Sequence, residues 1–147
     1  MSEAPPSPVP ARKLPLLEPE TAFFWTAGAQ GHLLIQRCGT CAVWQHPPLP
    51  RCAACGSEEV SPQPVSGRGR VTSYTINYER WLPGLEVPFV FGVVELEEQK
   101  ELYVFTNVLA PIDSVHVGMP VTVEFEQHED VWLPMFRPVD AGEGDAA

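Results

Sequence analysis

All four cysteines of this 147-residue chain fall within one stretch, RCGTCAVWQHPPLPRCAAC, residues 37–55. They form two Cys-x-x-Cys pairs, Cys38/Cys41 and Cys52/Cys55, with ten residues between the pairs and an arginine before each. Two-residue spacing lets each turn aim both sulfurs to one side, so four thiolates match a tetrahedral site for a borderline-soft ion. Backbone N–H groups of the turns can donate to the sulfurs. Gly39 and Gly56 relieve crowding there, and Arg37 and Arg51 can offset the negative charge of the centre. Four cysteines close the coordination sphere, whereas a catalytic zinc keeps one position open, so Zn2+ here is structural. The same sulfurs could hold iron as a redox centre, a rubredoxin-like alternative that a coloured protein would reveal. His46, between the knuckles, is a candidate contact residue and not a needed ligand.

Other reactive constellations are thin. The chain has no Gly-x-Ser-x-Gly turn, no Walker loop and no His-Glu-x-x-His. With its thiols committed to metal it lacks a cysteine nucleophile, and as a free-standing enzyme it is under-equipped. Two segments remain. In SGRGR, residues 66–70, Arg68 and Arg70 are either solvated charges at a flexible strand entry or contacts to phosphate, whose oxygens suit a guanidinium fork. In NYERWLPGLEVPF, residues 77–89, Arg80 and Trp81 sit on a long loop of the kind that meets a ligand or partner. The tripeptide WLP recurs at Trp132, followed by Phe136 and Arg137. Phe24 and Trp25 in FFW, Trp44, His46, Trp132 and Arg137 complete the contact candidates.

The elements that must position these residues read as mainly β. Residues 1–17 carry five prolines and few large side chains, an extended disordered arm. Residues 18–31 read as one helix, with Pro19 in its first turn and Gly28 or Gly31 at its end. Residues 32–62 form the zinc ribbon, in which HLLIQRC enters as a strand and GSEEVSPQPVSGRG, after the last cysteine, reads as loop. Residues 63–138 hold five short segments rich in β-branched and aromatic residues, separated by Gly, Pro and Glu. These fit a five-stranded OB-type barrel. Residues 139–147 form an acidic, disordered tail.

Nineteen acidic residues against nine basic give a net charge of −10. A field of that sign repels nucleic acid and anionic membranes, although a local arginine cluster can still hold an anionic ligand. An OB-fold that stacks single-stranded nucleic acid is the alternative this charge disfavours. No apolar run approaches the ~20 residues of a membrane span, and the amino terminus lacks a signal-peptide core. The expected location is cytoplasmic.

Taken together, FFWTAG, GHLLIQRCGTCAVWQHPP, PRCAACGS, SGRGRVTSYTINY, PFVFGVVEL, the Val117-Gly118-Met119 step before VTVEFE, and LPMFRP resemble a known family. It is the family of acyl-CoA-associated OB-fold proteins with a rubredoxin-like zinc ribbon, and the match spans roughly residues 20–138. The resemblance implies a non-catalytic accessory subunit of a hetero-oligomer. Its partner would be a thiolase-like enzyme or lipid-transfer-type aldolase that supplies the catalytic residues, while the barrel helps to bind a CoA thioester. Only the four zinc cysteines carry over residue by residue; the phosphate roles of Arg68 and Arg70 rest on their chemistry alone.

Overall fold

A computed structural model describes residues 13–139, so residues 1–12 of the arm expected over 1–17, and 140–147 of the tail expected over 139–147, lie outside the described residues. The last five residues of that arm are described, and Leu14 among them packs on the barrel. The chain first forms α1 (Ala22–Thr26), which continues as a 3-10 helix, Ala27–Gln30. Gly31, at φ 79, closes it by donating to the carbonyls of Ala27 and Gly28. The single helix expected over 18–31 is thus shorter, with Pro19 in the turn before it. Its tight second half presses on the barrel, and a Cβ on Gly28 would lie 2.5 Å from Trp132 Cβ.

A three-stranded sheet follows in the order β2-β1-β3, made of β1 (Leu33–Cys38), β2 (Trp44–Gln45) and β3 (Val60–Val65). The third strand corrects the loop expected after Cys55. Its two prolines hide it from a sequence reading, yet Pro62 and Pro64 are tolerated because β3 is the edge strand, paired to β1 on one side only.

The barrel comprises β4 (Arg68–Asn77), β5 (Phe89–Leu96), β6 (Tyr103–Val108), β7 (Pro120–His128) and β8 (Val131–Pro138). It closes in the order β4-β5-β6-β8-β7, so all five expected strands are present and the mainly β, OB-type architecture holds. Alternation explains its core. Along β5, Val90, Gly92, Val94 and Leu96 are buried, while Phe89, Phe91, Val93 and Glu95 point outward. Val71, Val104, Val121 and Phe136 fill the interior, each contributing about 1.5–3 kcal/mol by leaving water.

That core is shared. Phe24 from α1, Leu33 and Ile35 from β1 and Trp44 from β2 belong to the same buried cluster as the barrel valines. On the outer side, Leu14 and Trp25 cover Val131, Leu133 and Met135 of β8.

Candidate functional site

The four sulfurs are gathered by two knuckles of one design. In the first, Cys38 N donates to Val43 O (2.9 Å) and Ala42 N donates to Cys38 O (3.0 Å). In the second, Cys52 N donates to Ser57 O and Gly56 N to Cys52 O, both at 2.8 Å. The fifth residue of each turn is left-handed, Ala42 at φ 68 and Gly56 at φ 79. Thr40 Oγ1 and Ser57 Oγ, 2.8 Å apart, tie the knuckles together.

All four Sγ atoms lie within 4.8 Å of one another. Across the knuckles, Cys38 to Cys55 and Cys41 to Cys52 are both 3.6 Å. A tetrahedral zinc with bonds of about 2.3 Å requires sulfur–sulfur edges of about 3.8 Å, so the donor set fits this ion. The amides of Cys41 and Thr40 point at Cys38 Sγ from 3.4 Å. The Cys41 N–H first, then that of Thr40, pull the Cys38 thiol down to about 6 against the cost of burial, favouring the thiolate a metal requires. Cys38 and Cys52 are buried, Cys41 and Cys55 exposed. The flanking arginines brace the loops: Arg37 donates to Ala42 O and lies over the Trp44 ring, while Arg51 pairs with Glu58 at 2.6 Å.

Two glutamines that the sequence reading did not single out fix this module in place. Gln36 is buried; its Oε1 accepts from Leu49 N and Gln45 Nε2, and its Nε2 donates to Leu49 O, pinning the proline loop. Gln99, in the β5–β6 turn, accepts from Trp44 N (3.0 Å) and donates to Trp44 O (2.8 Å). A side-chain amide here pairs like a strand residue and joins ribbon to barrel. No local pattern marks such glutamines, because their partners lie 13 and 55 residues away.

Of the contact candidates, Phe24 and Trp44 are core residues, 5% and 8% exposed, so neither presents its ring to a partner. Trp25 is half-buried, edge-on to Phe24, and Trp132 is half-buried beside Gly28. His46 stacks on Phe24 at 4.7 Å, and its Nδ1 is buried with no hydrogen-bond partner among the described residues. Burial holds its pKa down to about 4. Arg137 is half-buried on β8 and donates to Pro138 O. Arg80 and Trp81 remain on the surface.

Arg68 and Arg70 start β4, two residues apart, beside a groove of 340 Å³ that Lys100 and Gln99 also line. SGRGR is therefore strand entry, not flexible loop. A Cβ on Gly69 would lie 2.3 Å from Glu95 O, so glycine lets the two strands meet there. Arg68 Nε pairs with Glu97 at 3.4 Å, and Arg70 Nη1 donates to Gly118 O at 3.0 Å. Lys100, unnoticed in the sequence, is brought to these arginines by the β5–β6 turn.

Residues 25–61 match the model of the rubredoxin-like zinc ribbon domain of ChsH2, and residues 62–126 match that of the ChsH2 C-terminal OB-fold domain. The chain belongs to the ChsH2 family. A structure described as an Ltp2-ChsH2(DUF35) aldolase superposes with a TM-score of 0.77 at 35% identity, over 85% of this chain and 98% of that one. A probable enoyl-CoA hydratase alpha subunit of Thermomonospora curvata is 36% identical over 132 residues, 89% of this chain. The chain spans only 41% of that subunit's length. Benzoylsuccinyl-CoA thiolase subunit BbsA of Thauera aromatica is 29% identical, over 70% of this chain and 72% of that one. The ChsH2 relationship and the fitting four-sulfur geometry together make the metal centre a structural zinc ribbon. No helix among the described residues is long and apolar enough to cross a membrane.

Proposed function

We propose that this protein is the zinc-containing accessory subunit of a heteromeric thiolase or retro-aldolase, and that it helps to bind the CoA thioester on which the partner acts. The observation that carries the reading is the extent of the likeness to the ChsH2(DUF35) component of an aldolase, at 98% of that chain's length. A shared short motif could not produce that coverage. The BbsA likeness supports a partner of thiolase type.

The residues support a division of labour. Cys38, Cys41, Cys52 and Cys55 hold zinc, which when bound supplies a cross-link between two knuckles and no open position for substrate. Arg68, Arg70 and Lys100 outnumber Glu95 and Glu97 around one groove of an acidic molecule, a local positive balance that suits the phosphates of CoA. The partner holds the catalytic residues. The acyl group is of steroid or aromatic type, and the assembly is cytoplasmic.

Affinity purification from the native host, with mass spectrometry of what is retained, tests the assembly. A thiolase-fold protein in constant stoichiometry is expected. Calorimetry of the purified complex with CoA then tests the groove: replacing both arginines with glutamate should weaken binding by about tenfold or more while the complex stays assembled. A partner fully active without this chain, and no less stable, would refute the reading. So would salt-dependent single-strand DNA binding tighter than micromolar, with no retained enzyme.

A further inference from the structure

The barrel wall is unevenly dressed. Over β8 the segment before α1 contributes Leu14, and α1 contributes Trp25, so the outward Val131, Leu133 and Met135 are buried. Among the described residues, nothing comparable covers β5 and β6. There Phe91 pairs in register with Asn107, and Val93 with Phe105, so the two phenylalanine rings stand on the same outer face as diagonal neighbours. Phe91 is 41% exposed and Phe105 63%.

The face continues into the long loop. Asn77 ends β4 opposite Phe89, again on the outer side. Its Oδ1 accepts from Trp81 Nε1 at 2.8 Å, and its Nδ2 donates to Glu79 O at 2.7 Å. These two bonds tie the Trp81 indole to the end of β4 while leaving it 72% exposed. An indole whose N–H is already satisfied and whose ring remains in water is prepared for burial by something else.

We infer that the outer face of β4, β5 and β6, formed by Trp81, Phe91 and Phe105, is the surface on which the thiolase-fold partner docks. The inference rests on the functional reading above and adds the place of contact. With Tyr78 at its rim, the face offers roughly 500 Å² of exposed aromatic side chain, at ~150–250 Å² per ring when fully bared. That reaches the upper range for the largest apolar patch of a monomer. It also supplies most of the ~800 Å² that one side of a stable heteromer interface needs. Charge selects the occupant. Glu95 lies outward on β5, Glu79 and Arg80 are exposed beside Trp81, and the whole chain carries −10, so a second copy would bring like charge to like. A partner with apolar pockets and a basic rim fits.

The test uses the full chain and the thiolase-fold subunit that co-purifies with it. Trp81→Ala and the double variant Phe91→Ser/Phe105→Lys should each weaken the complex by roughly a hundredfold, with zinc content and melting temperature unchanged. Val117→Lys, an equally exposed apolar residue in the loop before β7, should leave affinity as it is. If the wild-type chain binds and the face variants bind equally well, docking is elsewhere and the inference fails while the functional reading stands. If the wild-type chain binds no thiolase-fold protein, the functional reading fails and takes the inference with it. If sedimentation shows self-association that Phe105→Lys abolishes, the occupant is a second copy and the inference is overturned.

Discussion

Ala42 holds, in the first knuckle, the position that Gly56 holds in the second, and both backbones are left-handed. A side chain in that conformation costs about 1–2 kcal/mol that glycine does not. Replacing Ala42 with glycine should therefore stabilise the protein by about 0.5–1 kcal/mol, after the entropy of a freer unfolded chain is deducted, as read by urea denaturation. His46 makes the opposite kind of statement, since its site tolerates the neutral ring and disfavours the charged one. Its folded pKa, about 4, lies below the ordinary 6.5, so the unfolded chain binds the proton first as pH falls. His46 costs no stability above pH 6.5 and removes up to about 3 kcal/mol as pH drops from 6.5 towards 4. His46→Leu should flatten the stability profile across that window relative to wild type. Loss of zinc at low pH is common to both proteins and cancels in the comparison.

At the scale of elements, the joint between ribbon and barrel depends on one turn. The two hydrogen bonds between the Gln99 amide and the Trp44 backbone, one accepted and one donated by the side chain, are the kind a strand would make. Gln99→Ala should cost about 1–3 kcal/mol and speed amide exchange at Trp44, leaving exchange within the β4–β5 ladder unaltered. This joint also marks where the sequence is legible. The cysteine spacing announces the metal because ligand geometry is local, and the barrel strands announce themselves through β-branched alternation. Val60–Val65 conceals itself, since Pro62 and Pro64 obey an edge rule that matters only once β1 is beside them. FFW and the two WLP segments look alike as aromatic contacts, yet neighbours far along the chain bury Phe24 and half-bury Trp25 and Trp132, leaving Trp81 in water. Phe91 and Phe105 carried a usable signal, because they fall on the strand faces opposite the buried Val90, Val94, Val104 and Val108. Reading it required knowing which face the barrel closes upon.

For the whole molecule, the shared cluster of Phe24, Leu33, Ile35 and Trp44 with the barrel valines makes ribbon and barrel one cooperative body. Loss of the metal should therefore lower a single melting transition instead of splitting it in two. For Cys38→Ser, whose sulfur is buried, we expect loss of zinc by elemental analysis. Destabilisation of about 4 kcal/mol should lower the melting temperature by roughly 15 °C. A variant that kept full zinc, or melted in two steps, would contradict this.

The barrel is held around most of its girth by continuous ladders, but β6 and β8 meet through the single register pair Val108 and Phe136. Beside that pair, Leu109 N donates to Phe136 O at 2.6 Å. Farther along, Pro134 has no N–H to offer, and the Thr106 hydroxyl donates to its carbonyl at 2.6 Å. A cylinder fastened along one line by a few points has a preferred place to part. Thermal fluctuation should unroll this sheet along the β6–β8 line before any other. That line borders the strand carrying Phe105, so any partner seated there would act as a clasp, and its arrival should slow amide exchange along β6 more than elsewhere in the molecule.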